Sequence, residues 1–172
     1  MNSLSEPVMQ LIRAALQPVA SPARVRTDDP VCRVVITAVN ADLKAGGIDH
    51  VTQLVTGAGM AASGLTFWLA KEREVEVETL ITQLTDGLPE GIPERDVVKM
   101  IETMLTGPPG VKQTAEFLAR LFHEDEERYY DLIVALGRYS ASCIGMLSAL
   151  GISSEEDTLE DLDDTLQDFY AS

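Results

Sequence analysis

The strongest constraint on the fold is a run of twenty residues, 51–70, that contains no charged side chain. It belongs to a chain of 172 residues whose net charge is −15. A second uncharged run, residues 139–154, follows Arg138. An acidic soluble protein accommodates such runs when they form helices that the rest of the chain covers. The sequence therefore predicts two buried central helices.

The length of the first run would also suit a membrane-spanning helix. However, Thr52, Gln53 and Ser63 make it only mildly hydrophobic, whereas membrane spans are usually richer in Leu, Ile and Phe. We therefore expect a buried helix and no membrane association. The N-terminal residues place an acid before the first base and lack a basic segment leading into an apolar one. This is not the pattern of a secretion signal, and it predicts a cytoplasmic protein.

Apolar residues recur at helical spacing along almost the whole chain. Asp29 followed by Pro30 is typical of a helix start, and Asp49 is placed to cap the long uncharged helix. The β-branched residues 34–37 would suit a strand, but no second strand candidate is present to pair with them. The predicted fold class is all-α, a single-domain helical bundle of about seven or eight helices around two apolar central helices.

Prolines and glycines divide the chain into three parts that we expect to form one compact unit. These are an N-terminal helix and linker (residues 1–28), a first helical half (29–87), and a second half that ends in an acidic helix (93–172). At an offset of 79 residues, Ala62 aligns with Ala141 and Leu80 with Leu159. This similarity has two explanations: an imperfect internal duplication, or chance matches between helices rich in Ala, Ser and Leu.

The negative charge is concentrated at the C-terminal end of the chain. Residues 153–172 contain eight acids and no base, which gives −8 of the total of −15. A surface of this sign repels the phosphates of nucleic acids, so we expect no direct binding of DNA or RNA. It favours a protein partner with a basic surface.

The side chains that carry most enzyme chemistry are sparse. The two histidines, His50 and His123, do not belong to a metal-binding pattern, and we interpret both as surface residues. Cys32 and Cys143 are far apart in apolar segments, so we expect buried, reduced thiols. We therefore nominate no catalytic, cofactor-binding or metal-binding residue, and we expect that the protein is not an enzyme.

The C-terminal segment contains the predicted binding residues. One helical stripe carries the apolar side chains of Leu159, Leu162, Leu166, Phe169 and Tyr170, and acids including Asp161, Asp164 and Asp168 cover the remaining surface. One interpretation is that the stripe packs on the protein's own bundle. The other is that it binds a groove on a basic partner, with the apolar residues as anchors and the aspartates as steering charges.

Three small residues, Gly57, Ala61 and Gly64, lie along one side of the first central helix and predict a close crossing with another helix. The function that these observations favour is a non-enzymatic adaptor, assembly factor or regulator that binds a protein. Two alternatives stay open. One is an acidic mimic of nucleic acid that inhibits a DNA- or RNA-binding protein, and the other is a self-assembling structural subunit of a bacterial or phage assembly, which would be a homo-oligomer.

Overall fold

A computed structural model describes residues 3–17, 29–105 and 110–171. These residues form eight α-helices and no strand, which confirms the predicted all-α bundle. In chain order the helices are α1 (Glu6–Leu16), α2 (Pro30–Ala45), α3 (Asp49–Glu72), α4 (Val77–Thr85), α5 (Pro93–Leu105), α6 (Gly110–Glu124), α7 (Glu126–Ala149) and α8 (Glu155–Ala171).

The two longest helices, α3 and α7, lie side by side at the centre, and each has 24 residues. They run parallel to each other. Tyr129 near the start of α7 and Thr52 near the start of α3 line the same cavity. Further along both helices, the hydroxyl oxygens of Tyr139 and Thr66 are 2.6 Å apart. The prediction of two central apolar helices is therefore confirmed.

The helix order of the first half repeats in the second half. In each half a short amphipathic helix is followed by a second helix, a central helix and a returning helix. The first helix of each half contacts the central helix of the other half: α1 lies mainly against α7, and α5 packs on both α3 and α7. The helix order therefore repeats in the structure, and the internal duplication stays a prediction. This arrangement also joins α1 to the bundle, while most of the linker predicted within residues 1–28 lies outside the described residues.

A glycine in each central helix makes room for the first helix of the other half. A Cβ atom added to Gly137 of α7 would lie 2.7 Å from Cγ of Leu11 in α1. One added to Gly59 of α3 would lie still closer to Cε of Met100 in α5. Gly59 and Gly137 are 78 residues apart, one residue less than the offset of 79 at which the two segments of the sequence align.

Two of the differences between the halves lie beside α3. First, α2 contacts α7, but the described residues of α6 make no equivalent contact with α3. Second, α8 has 17 residues where α4 has 9, and the longer helix extends over α3. Both departures from the repeat lie beside α3, and both bear on the candidate binding surfaces.

The prediction that Asp49 caps α3 is wrong. Asp49 is the first residue of the helix, and Ile48 is the residue before it, with no side-chain cap. The cap comes instead from Asp42 in α2. Asp29 accepts a hydrogen bond from the backbone N–H of Val31, so the predicted start of α2 is confirmed.

Within the described residues, the length and composition of α7 would permit it to cross a membrane. In this structure α7 is the helix on which α1, α3 and α5 converge, and half of its most apolar window is buried inside the protein.

Alanine substitutions at Gly137 and Gly64 test whether α1 depends on the space that Gly137 leaves on the surface of α7. A Cβ at Gly137 enters Leu11, whereas a Cβ at exposed Gly64 meets no described atom within 4 Å. Since Gly→Ala favours both helices equally, the difference between G137A and G64A isolates the packing term. We expect G137A to be less stable than G64A by about 1–3 kcal/mol in urea-induced unfolding. Equal stability of the two variants would show that α1 does not pack against α7 at Gly137.

Candidate functional site

The acidic C-terminal helix α8 packs on the protein's own bundle. It lies against α7, α3 and α1, and it runs from the ends of the two central helices back toward their beginnings. Leu166 is fully buried and Leu162 nearly so, while Leu159, Phe169 and Tyr170 are partly exposed. Of the apolar residues nominated as partner anchors, Leu162 and Leu166 therefore serve as core residues in this arrangement.

Polar contacts join the middle and the C-terminal end of α8 to the bundle. The Tyr170 hydroxyl donates a hydrogen bond to the backbone carbonyl of Gln53 at 2.5 Å, and its ring reaches the surface of α3 at Gly57. Burial raises the pKa of Tyr170 to about 12, so the hydroxyl keeps its proton. Near the middle of α8, the hydroxyl of Ser5 donates to Asp163 at 2.8 Å.

The predicted small-residue face divides into two parts. A Cβ at Gly57 would lie 2.7 Å from Val8 in α1 and still closer to Tyr170 in α8, so this residue permits the close crossing that was predicted. Ala61 is buried as well. Gly64 is exposed, and no described atom lies within 4 Å of a Cβ built there, so no described helix of the chain crosses at this residue. Gly59, which was not among the predicted small residues, makes room for α5 on the surface of α3.

The outer face of α8 is a surface of carboxylates. The predicted steering residues Asp161, Asp164 and Asp168 are all exposed. Because the leucines face inward, α8 has a buried apolar side and an acidic side that is exposed to solvent. The acidic side is thereby held on a docked helix.

A second surface is an apolar groove of about 450 Å³ where α6 stands away from α3. Its walls come from α2 and α6, and its floor comes from the first turns of α3 and α7. Two large apolar side chains at its edge are exposed to solvent, Leu43 at 75% and Ile48 at 61%. This volume is within the range typical of ligand sites.

Aromatic rings form one side of the groove. Phe122 packs edge-to-face on Tyr129 with ring centroids 5.3 Å apart, and Tyr129 packs on Tyr130 at 5.8 Å. Burial raises the pKa of both tyrosines to about 12, so their hydroxyls are hydrogen-bond donors at neutral pH. The Tyr130 hydroxyl donates to Glu126 at 2.8 Å, which leaves the other oxygen of that carboxylate available at the rim.

Asp42 fixes the corner between α2 and α3. Its carboxylate accepts hydrogen bonds from the backbone N–H groups of His50 (2.8 Å) and Val51 (3.0 Å), and it contacts Nδ1 of His50 at 2.9 Å. Burial alone would raise the pKa of Asp42, but these hydrogen bonds from Val51 and His50 hold it below its ordinary value of 3.8. The carboxylate therefore stays charged beneath the groove.

Both central helices begin at the groove, so their positive dipole ends are directed toward it. Asp42 satisfies the N–H groups at the start of α3, and Asp125 accepts a hydrogen bond from the backbone N–H of Arg128 in α7. Glu126 and Glu127 add negative charge in the first turn of α7. The helix starts are thus already compensated by the chain's own carboxylates, which disfavours an anionic ligand.

The remaining polar contacts have structural roles. Arg128 donates two hydrogen bonds of 2.7 Å to buried Asp96, which joins the start of α7 to α5 and raises the pKa of Arg128 above its ordinary value. Burial raises the pKa of the Cys143 thiol to about 12, which makes it a poor nucleophile. Within residues 3–17, 29–105 and 110–171, no three His, Cys, Asp or Glu residues are grouped so that they could hold a metal ion.

Sequence reasoning located the acidic face of α8 but missed the groove. Its walls come from segments far apart in the chain, and no local periodicity brings them together. One signal was available: Leu43 and Ile48 flank Gly46-Gly47, and large apolar residues at a turn are candidates for an exposed patch.

Comparison with protein-family models, with characterised proteins and with solved structures found no match to this chain.

Leu166 tests whether α8 is docked in solution. Its side chain is fully buried between α8 and the bundle, so Leu166→Ala should lower the free energy of unfolding by about 2–5 kcal/mol. Leu159→Ala, at a partly exposed position of the same helix, should cost clearly less. The two costs are compared by urea denaturation. A loss below about 1 kcal/mol for L166A would indicate that α8 is detached.

The Asp42 cap predicts a pH dependence. Its folded-state pKa is lowered, so its stabilisation is present above pH of about 4 and is lost as the pH falls through the folded-state pKa. Asp42→Asn should cost about 1–3 kcal/mol at pH 7, and its difference from the unmodified protein should shrink as the pH falls below about 4. Asp49→Asn, which removes an exposed acid from the same helix start, is the control and should cost less. Unfolding titrations at several pH values measure both; a pH-independent cost for D42N would refute the assignment.

Proposed function

We propose that this protein is a non-enzymatic interaction module that binds a protein partner through a basic surface on that partner. The observation that carries the proposal is the division of α8 into buried leucines and an outer face of carboxylates. An acidic helix held on a folded bundle is ordered before it binds. Association therefore avoids part of the entropic cost that a disordered acidic tail would incur.

Helix stability does not account for the positions of all these acids. Glu155, Glu156 and Asp157 lie in the first turn of α8, where the helix dipole favours negative charge. Asp168 lies in the last turn of the helix, where the dipole disfavours negative charge, and Asp164 lies near the middle, where the dipole has little effect; both are exposed. Their placement is what a surface that attracts cationic side chains requires.

The expected contribution of these charges is to rate and specificity. Exposed carboxylates raise the association rate with a basic surface and suppress binding to acidic ones, and the effect weakens as salt is added. Leu162 and Leu166 would stabilise α8 rather than contact the partner.

Neutralising the outer face tests the proposal. Asp161, Asp164 and Asp168 are replaced by Asn together, and the control replaces Glu76, Glu78 and Glu90 by Gln, which are exposed acids outside α8. A partner is first captured from the native lysate at low salt and identified, and dissociation constants are then measured at two salt concentrations. We expect the α8 variant to bind about tenfold more weakly and with a smaller salt dependence, and the control variant to bind normally.

Three results would contradict the proposal: no protein captured at low salt, equal loss of binding in both variants, or binding that is indifferent to salt. Competition by duplex DNA separates the alternative function. If DNA displaces the protein from its partner and the partner is a nucleic-acid-binding protein, the acidic face is acting as a mimic.

A further inference from the structure

The groove is where the internal repeat is incomplete. In one half α2 contacts α7, but in the other half α6 makes no such contact with α3 within the described residues. The surface that the repeat would have covered is lined by apolar and aromatic side chains and is left open. A helix placed there would supply the missing contact.

The chemistry of the groove specifies what that helix carries. The described residues that line it include His123 and two carboxylates, and no lysine or arginine. Of the two carboxylates, buried Asp42 is already hydrogen-bonded to the start of α3, and Glu126 is the one exposed to solvent. The neighbouring residues Glu124, Asp125 and Glu127 are also exposed acids at the α6–α7 corner. Leu43 and Ile48 extend the apolar surface outward beyond the cavity, as a macromolecular contact requires. An enclosed site for a small molecule would not need this exposed apolar edge.

We propose that this groove binds an amphipathic helix of a basic partner protein, with its apolar stripe in the groove and a lysine or arginine against Glu126. The inference rests on the proposed function only in taking the partner to be a protein. It adds a second contact surface, distinct from the outer face of α8, and a class of ligand.

The dimensions limit the length of the bound segment. The α6 wall extends from Ala115 to His123, which at a rise of 1.5 Å per residue is about 12 Å. That length corresponds to about two turns of a bound helix. Such a helix presents apolar side chains at positions i, i+4 and i+7, and a cavity of about 450 Å³ holds a small set of them.

The probe is a labelled synthetic helix of about fourteen residues with leucines at i, i+4 and i+7 and lysines beside them. Its binding to the full-length protein is measured by fluorescence anisotropy. A second peptide carries glutamate in place of each lysine, and a third carries serine in place of each leucine. We expect the first peptide to bind and the other two to bind at least about tenfold more weakly.

Two variants close or degrade the groove without touching the core. Ala119 is an exposed residue of the α6 wall, so Ala119→Phe fills the groove from the solvent side. The double change L43S/I48S removes the exposed apolar edge. Ala149→Phe places the same bulk at an exposed position at the end of α7 and serves as the control. Both groove variants should weaken binding of the leucine–lysine peptide by about tenfold or more, and A149F should not.

The outcomes separate this inference from the proposed function. The variant with Asn at Asp161, Asp164 and Asp168 should bind the peptide normally if the groove is a distinct surface. Peptide binding that A119F and L43S/I48S both leave intact would overturn the inference, as would equal binding of the glutamate peptide. A small apolar cation, decyltrimethylammonium, is measured in the same way. If it binds and the peptide does not, the groove is a site for small cations and the inference is wrong.

Discussion

The close approach of helices at Gly59 and Gly137 is the constraint on which the rest of the bundle depends. Two parallel central helices cannot be joined by a short turn, so each must be reached by its own set of shorter helices. The glycines let α5 and α1 lie close enough to the central pair to cover it, since any larger side chain would push Met100 or Leu11 outward. Small residues in α3 thus replace the bulk that most helix cores use.

The incomplete repeat explains why both candidate surfaces lie beside α3. Within the described residues, the short α4 contacts only α3 and α5, whereas the longer α8 extends over the beginning of α3, where Tyr170 is hydrogen-bonded to Gln53. The gap between α6 and α3 is not covered in this way and becomes the groove. The longer α8 thus places a face of carboxylates on the outside, and the gap between α6 and α3 leaves apolar surface open.

Periodicity was sufficient to predict the helices and the central pair, because uncharged runs of this length have few other soluble solutions. It could not show which side of α3 would be crossed: Gly57, Ala61 and Gly64 are equally small, yet only the first two are buried. The stripe on α8 was also correctly placed, but periodicity does not distinguish packing on the chain's own bundle from packing on a partner.

The cap of α3 and the groove were beyond local reasoning for a related reason. Asp42 precedes the helix that it caps by a turn containing Gly46 and Gly47, and only the fold of that turn brings its carboxylate to the N–H of Val51. Short-range rules look for the cap next to the helix start, which is why Asp49 was the expected residue. The aromatic side of the groove depends in turn on how α6 is placed against α7.

The two surfaces would act on different steps of binding. Exposed carboxylates on α8 attract a basic partner from a distance and chiefly change the association rate, which salt reduces. Apolar contacts are short-ranged and chiefly change the dissociation rate, since they must be broken before the partner leaves. A partner that used the groove alone would therefore show weak salt dependence, and one that used α8 alone would dissociate quickly. Measuring both rate constants at two salt concentrations distinguishes these cases even where the interface has not been mapped.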